Sequence, residues 1–330
     1  MQNISVIGGS GFIGSRLCSI LERNAKKFTI IDKVGSEFFP NDCQLADISN
    51  INSLRTILTQ ESIIINLAAE HRDDVSPKSL YDETNVQGAK NICQIAIEKN
   101  IQTIVFTSSV AIYGFAPPET NEDGKINPFN DYGRTKWEAE QIYRQWWLDD
   151  AKNRTLVIVR PTVVFGERNR GNVYNLIKQI ASGKFVMIGN GLNRKSMAYV
   201  ENIAAFLNYS LNFKPGVHLY NYIDKPDFTM NELVSHVNGL LGKSSKIKFR
   251  LPYQCGLLIG MLFDAVSQVS NIKFPISSIR VKKFCANSIY NSKISSTGFS
   301  PPVPLVEALD RTIRYEFVEN HQFETVFYTE

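Results

Sequence analysis

The stretch Val6-Ile7-Gly8-Gly9-Ser10-Gly11-Phe12-Ile13-Gly14 constrains this chain more than any other. An apolar run at 4–7 leads into it, and a segment with helical spacing at 12–24 leads out of it. Gly8, Gly11 and Gly14 allow a tight turn, close approach of the backbone to a pyrophosphate, and tight packing of the helix on the strand. The helix start then offers free N–H groups and the positive end of its dipole to an anion. Residues 28–31 read as the next strand and end at Asp32. Units of this kind place an acid there against the ribose hydroxyls of NAD, where it repels a 2′-phosphate. Lys33 beside it weakens that exclusion. The competing reading of Asp32 is a surface turn residue.

Strand-like runs at 4–7, 28–31, 63–67, 103–107 and 156–160 alternate with amphipathic segments such as 81–99 and 132–149. Continuous apolar strands spaced by helices imply a parallel sheet covered on both faces, the Rossmann-type doubly wound α/β fold. After Gly166 the rhythm weakens, with helices expected at 171–182, 200–211, 230–241 and 256–269 and a late strand at 218–222. The expected organisation is an NAD-binding domain over 1–166, rejoined at about 198–222, and a smaller, partly interleaved substrate lobe over 167–330. With 330 residues, 43% of them hydrophobic and 21% charged, the chain can bury a real core. A net charge of +4 gives no support for nucleic-acid binding. Five scattered cysteines without paired spacing or histidine partners point to a reducing compartment and no bound metal. The N-terminus carries no pattern of a secretion leader.

Thr107-Ser108-Ser109 closes the 103–107 run, and Tyr132-Gly133-Arg134-Thr135-Lys136 follows. Tyr132 and Lys136 are four apart and share one face of a helix. An ammonium beside a phenol favours phenolate and draws the pKa down from about 10. Tyr132 is therefore expected to act as a general base, with a strand-end serine bonded to the same substrate oxygen. Alone, Tyr-x-x-x-Lys is an exposed helix pair; the glycine turn, Asp32 and the serines make it a site.

These residues resemble the extended short-chain dehydrogenase/reductases. The glycine turn with Phe12 and Ile13, the pair Asp47-Ile48, the string Asn66-Leu67-Ala68-Ala69, Asn85, Thr107, and the string holding Pro161 and Val163 are similar to that family's cofactor-contacting motifs. Ser109, Tyr132 and Lys136 are similar to its catalytic triad, with Ser109 preferred to Ser108. Sugar 4,6-dehydratases of the class carry an Asp-Glu pair where Ser108 and Ser109 stand, so elimination lacks its acid. The strings at 68–77, 165–176 and 195–200 further resemble bacterial epimerases that convert N-acetylglucosamine to N-acetylgalactosamine on undecaprenyl diphosphate for O-antigen and lipopolysaccharide assembly. The resemblance implies an NAD-dependent isomerase that passes through a transient 4-keto sugar. The alternatives are a UDP-sugar 4-epimerase and an NAD(P)-dependent sugar 4-ketoreductase. A nucleotide-sensing scaffold without chemistry would predict a broken triad.

For a diphosphate-linked substrate the expected contacts are Ser108, Ser109, Arg168, Asn172 and Arg280, with Arg170, Lys282 and Lys283 close by in sequence. Leu257, Leu258, Met261, Leu262, Ala265 and Val269 recur at helix-face spacing, near the basic residues Lys246, Lys248, Arg250 and Lys273. That pattern suits either a core helix or a peripheral helix on an anionic membrane, here the cytoplasmic face of the inner membrane. His71, Arg72, Asp73 and Asp74 read as a substrate-ordering loop or a salt-bridge network. Segments 81–99 and 132–149, the second carrying Trp137, Trp146 and Trp147, are candidates for a homodimer bundle.

Overall fold

The computed structural model describes residues 2–72, 75–245, 247, 249–270, 277–321 and 324–329, with side chains of 268–270 excepted. Asp73, Asp74, Lys246, Lys248, Lys273 and the side chain of Val269, named above, lie outside the described residues. Strands β1 (Ile4–Ile7), β2 (Phe28–Asp32), β3 (Cys43–Leu45), β4 (Ile63–Asn66), β5 (Thr103–Thr107) and β6 (Thr155–Pro161) lie side by side in one parallel sheet. Helix α1 (Phe12–Arg23) follows β1, and α2 (Ile51–Ile57) follows β3. After β4 comes α3 (Ser79–Tyr81), which runs through a π-helical stretch at 82–87 into α4 (Gly88–Glu98). After β5 comes α5 (Asp131–Leu148), started by the Asn130 side chain accepting the Gly133 N–H at 2.9 Å.

Beyond β6 the chain forms β7 (Val163–Phe165), α6 (Asn172–Ala181), β8 (Met187–Ile188), β9 (Arg194–Tyr199) and α7 (Val200–Ser210). It then returns to the first sheet as β10 (Gly216–Tyr222), against β6. The order across this seven-stranded sheet is β3-β2-β1-β4-β5-β6-β10. Every pairing is parallel. This is the doubly wound sheet that the alternating pattern predicted. Chain order reverses between β1 and β4, so the loops after these two strands part and leave a crevice.

Alternate strand residues serve the two faces. Ile7, Ile31, Ile64 and Ile104 pack under Ile92 and Ile95 of α4 and Tyr143 and Trp146 of α5. Val6, Ile30, Ile65 and Val105 pack against Leu17 and Leu21 of α1 and Phe206 of α7. Burial on both sides is why these strands carry no polar alternation.

The remaining elements are β11 (Asp224–Thr229), α8 (Met230–Leu240), β12 (Arg250–Leu251), α9 (Tyr253–Ser270), α10 (Ser278–Cys285) and α11 (Leu305–Phe317). β11, β9 and β7 form a small sheet, and β12 pairs with β8. A core of Phe165, Ile177, Met230, Leu233 and Leu309 joins α6, α8 and α11. α9 differs from a core helix: Leu258, Met261, Leu262 and Val266 are exposed, Leu262 by 68%. Its inner side approaches α10 closely, because a Cβ on Gly260 would lie 2.7 Å from the Ser278 nitrogen. No helix among the described residues is long and apolar enough to cross a membrane.

Candidate active site

A cavity of about 740 Å³ opens at the crevice between β1 and β4. Its floor begins at the glycine turn. Gly8 has φ of +79°, and a Cβ there would sit 2.6 Å from the Ala68 nitrogen. A Cβ at Gly14 would sit 2.5 Å from the Gly9 Cα. Both positions therefore exclude every other residue. Gly11 caps α1 without a side chain, and no acid stands in the first turn, so the helix N–H groups face the cavity ready for phosphate oxygens.

Asp32 ends β2 at the cavity wall. Its carboxylate accepts the Ser10 N–H at 3.1 Å and the Val34 N–H at 3.3 Å, which fixes it beside the glycine turn. Burial raises its pKa, against the pull of these N–H groups. Asp32 is thus a wall residue and not a solvated turn. Lys33 reaches across to Glu70 at 3.9 Å. Asp47, Ile48, Leu67, Ala68 and Ala69 form the adjoining wall, with Phe12 and Ile13 at the turn and Pro161 and Val163 opposite.

At the other end, Thr107, Ser108, Ser109, Tyr132 and Lys136 line the same cavity. The Thr107 and Ser108 hydroxyls are buried without a hydrogen-bond partner, an arrangement that suits a polar ligand. Ser109 Oγ accepts the Ala111 N–H at 3.1 Å and lines the same cavity as the Tyr132 phenol. Lys136 Nζ donates to the Thr107 carbonyl at 2.7 Å and lies 4.7 Å from the centre of the Phe106 ring.

The expected acidification of Tyr132 by Lys136 is not found in the chain by itself. Burial pushes the phenol up to about 12, while Ser109 pulls the other way. Burial likewise pushes Lys136 down to about 7, opposed by Glu140. Placing both groups in an apolar wall disfavours the charged form of each, and the lysine nitrogen is spent on a strand carbonyl.

Three expected contacts lie elsewhere. Asn85 does not line the cavity. Its amide accepts the Glu70 N–H and donates to the Glu70 carbonyl and to Thr135 Oγ1, all at 2.9 Å. It thus clamps the loop after β4 to α5. Arg168 is drawn into the C-terminal segment: Nε donates to the Tyr315 hydroxyl at 3.0 Å and Nη2 pairs with Glu324 at 2.9 Å. Arg280 sits exposed on α10 and lines no part of this cavity. Asn172 does line it, at the start of α6.

Sequence reasoning missed Lys195, although it stands in one of the strings singled out above. Its Nζ donates to the Lys283 and Ala286 carbonyls at 2.7 Å, and burial pushes its pKa down to about 8. Lys283 joins it on the cavity wall. Flanked by Arg194 and Ser196 in a short polar run, Lys195 gave no pattern that set it apart. His71, expected in a substrate-ordering loop or a salt-bridge network after the 63–67 strand, does line the cavity, and desolvation lowers its pKa.

A glycine-turned crevice, an acid at the second strand end and a Ser, Tyr and Lys set facing it define a dinucleotide-dependent class of enzyme. The chain belongs to the NAD dependent epimerase/dehydratase family, whose pattern matches residues 4–221. It is 47% identical over 334 residues to N-acetyl-alpha-D-glucosaminyl-diphospho-ditrans,octacis-undecaprenol 4-epimerase of Escherichia coli O157:H7, covering 100% of this chain and 99% of that one. Among solved structures, the UDP-glucose 4-epimerase of Thermus thermophilus in complex with NAD superposes with a TM-score of 0.73 at 18% identity. The UDP-N-acetylglucosamine 4-epimerase of Bacillus cereus gives 0.74 at 17%. Both alignments cover 95% of this chain and 98% of the other. The cofactor is NAD, and the residues fit it: two glycines whose Cβ positions are filled, a free helix start and a buried acid at the second strand end.

Proposed function

We propose that this protein inverts C4 of an N-acetylhexosamine carried on undecaprenyl diphosphate, converting the gluco to the galacto form. The observation that carries the reading is the presence of Ser109 and Tyr132 in the cavity that starts at Gly8, in a chain alike end to end to a lipid-linked sugar 4-epimerase. When bound, NAD supplies a nicotinamide ring that takes the hydrogen and electron pair from C4 and returns them to the opposite face of the transient 4-keto sugar.

The chain's own residues do the rest. Tyr132 Oη takes the proton of the 4-hydroxyl and gives it back. Ser109 holds the same oxygen in line. Lys136, one turn along α5, lends positive charge to the phenolate and fixes the strand end through Thr107. Gly8, Gly11, Gly14, Asp32, Asp47, Ile48, Leu67, Ala68 and Ala69 hold the dinucleotide, with Thr107, Pro161 and Val163 toward its reactive end. Lys195 and Lys283 receive the substrate diphosphate, the role first given to Arg168 and Arg280. The exposed face of α9 rests on the anionic cytoplasmic surface of the inner membrane, which brings the site to its lipid substrate.

The test is turnover by purified protein without added nicotinamide, offered the amino sugar on undecaprenyl diphosphate and on UDP. The expected result is the C4 epimer on the lipid carrier with no net oxidation or reduction. Turnover that begins only when NADPH is added and then consumes it stoichiometrically would instead make the protein a ketoreductase, and turnover of UDP-sugar alone would make it a nucleotide-sugar epimerase.

A further inference from the structure

A second recess of about 710 Å³ lies beside the active-site cavity. Phe115 and Ala286 line both spaces, so the two adjoin across a shared wall. The recess is walled by Ile188, Tyr253, Ile279 and Cys285, and its lining is more apolar than polar. Its two asparagines each make a hydrogen bond within the protein: Asn193 Nδ2 donates to the Phe284 carbonyl at 2.7 Å, and Asn190 Oδ1 accepts the Leu192 N–H at 3.0 Å. α10 separates the spaces and presents Lys282 to the recess and Lys283 to the cavity. On the far side Tyr253 begins α9, whose outward face is apolar.

We infer that this recess holds the first isoprenoid units of the substrate's lipid tail. The inference rests on the reading that the substrate is a polyprenyl diphosphate. Three features point to that one occupant. The recess shares the wall of Phe115 and Ala286 with the cavity that contains Tyr132. Two lysines on consecutive positions of α10 flank the junction, where a diphosphate linking sugar to tail must pass. The far wall leads onto the exposed Leu258, Met261 and Leu262, so a tail leaving the recess stays on apolar surface.

The test is a series of soluble substrates in which the amino-sugar diphosphate carries isopentenyl, farnesyl or undecaprenyl chains, with the NAD-loaded enzyme and UDP-N-acetylglucosamine as reference. The expected KM falls by about tenfold from isopentenyl to farnesyl, the return on burying only about two methylene groups. It changes little beyond farnesyl once detergent is present. Ile279→Asp, at a half-exposed position, is expected to shrink the farnesyl advantage to less than about twofold. Lys283→Gln is expected to raise KM for every chain length alike. Equal KM across chain lengths in the unmutated enzyme, with all of them epimerised, overturns the inference while leaving the proposed reaction standing. Turnover of the UDP-sugar with none of the prenyl substrates overturns the proposed reaction itself. An Ile279→Asp enzyme that keeps the full farnesyl advantage also overturns the inference.

Discussion

In the proposed reaction Tyr132 moves the proton, and its surroundings in the chain oppose that role. Its phenol is pushed up to about 12 by burial, so at neutral pH the proton stays on Oη until a cation offsets the apolar wall. The raised pKa fixes the sign: the phenolate grows as pH rises, and a positive ring beside the phenol moves that rise to lower pH. Stripped of NAD, the protein should show no Tyr132 phenolate below about pH 11, read as the ultraviolet difference between the native chain and Tyr132→Phe. Reloading with NAD should bring the signal down toward neutrality; an unchanged titration would remove Tyr132 as the base. Tyr132→Phe should also lower kcat by about 10²–10⁴-fold with an unchanged far-ultraviolet circular dichroism spectrum. The pairing of Tyr132 with Lys136 was legible because spacing of four on a helix is a property of sequence. The direction of the pKa shift was not, since it depends on what surrounds both groups, and no pattern in the sequence reports that Lys136 turns to the Thr107 carbonyl.

The catalytic helix is held by a buried ion pair. Arg160, near the end of β6, grips Glu140 of α5 through two hydrogen bonds of 2.8 and 2.6 Å, with both side chains at most 2% exposed. Arg160 also donates to the Tyr113 hydroxyl at 2.6 Å and the Glu122 carbonyl at 3.2 Å. Glu140 is one turn beyond Lys136, so the pair joins the strand that floors the cavity to the helix that arms it. Glu140→Ala leaves a buried guanidinium uncompensated and should cost about 3–5 kcal/mol, read by chemical denaturation. Replacing both partners, as in Glu140→Leu with Arg160→Met, should recover part of that loss and not all, because Tyr113 and Glu122 also lose a donor. Full recovery would show that the pair does no more than fill space. Strands and helices of this layer were read within a residue or two from their apolar periodicity. β3 was missed because it is three residues long with two of them exposed, and α2 because only Leu54 of its seven residues is buried. The ion pair was invisible because its partners stand 20 residues apart on different elements. For the same reason Arg168 and Arg280 were misplaced: sequence supplies the guanidinium, and tertiary packing decides what it meets.

At the scale of the molecule, the recess adjoins the cavity at Phe115 and Ala286 and reaches the start of α9 at Tyr253, whose helix carries an exposed apolar face. Leu258 and Leu262 are 61% and 68% exposed, and a cluster of such residues on one helix loses its solvation cost only against another apolar surface. The chain's mild positive charge, +4 overall, adds attraction to anionic headgroups, which weakens within about 10 Å at 0.1 M salt. The two contributions separate experimentally. Flotation with vesicles containing anionic lipid should carry the native protein up at low salt, and added salt should release only part of it. Leu258→Glu with Leu262→Glu should abolish flotation at any salt and raise KM for the undecaprenyl substrate in vesicles. The same variant should turn over a short prenyl substrate in solution at the native rate, since neither residue borders the cavity or the recess. Flotation that survives the double substitution would place the membrane contact on another face of the molecule. Loss of activity on the short substrate as well would mean that α9 supports the fold rather than docking it to a bilayer.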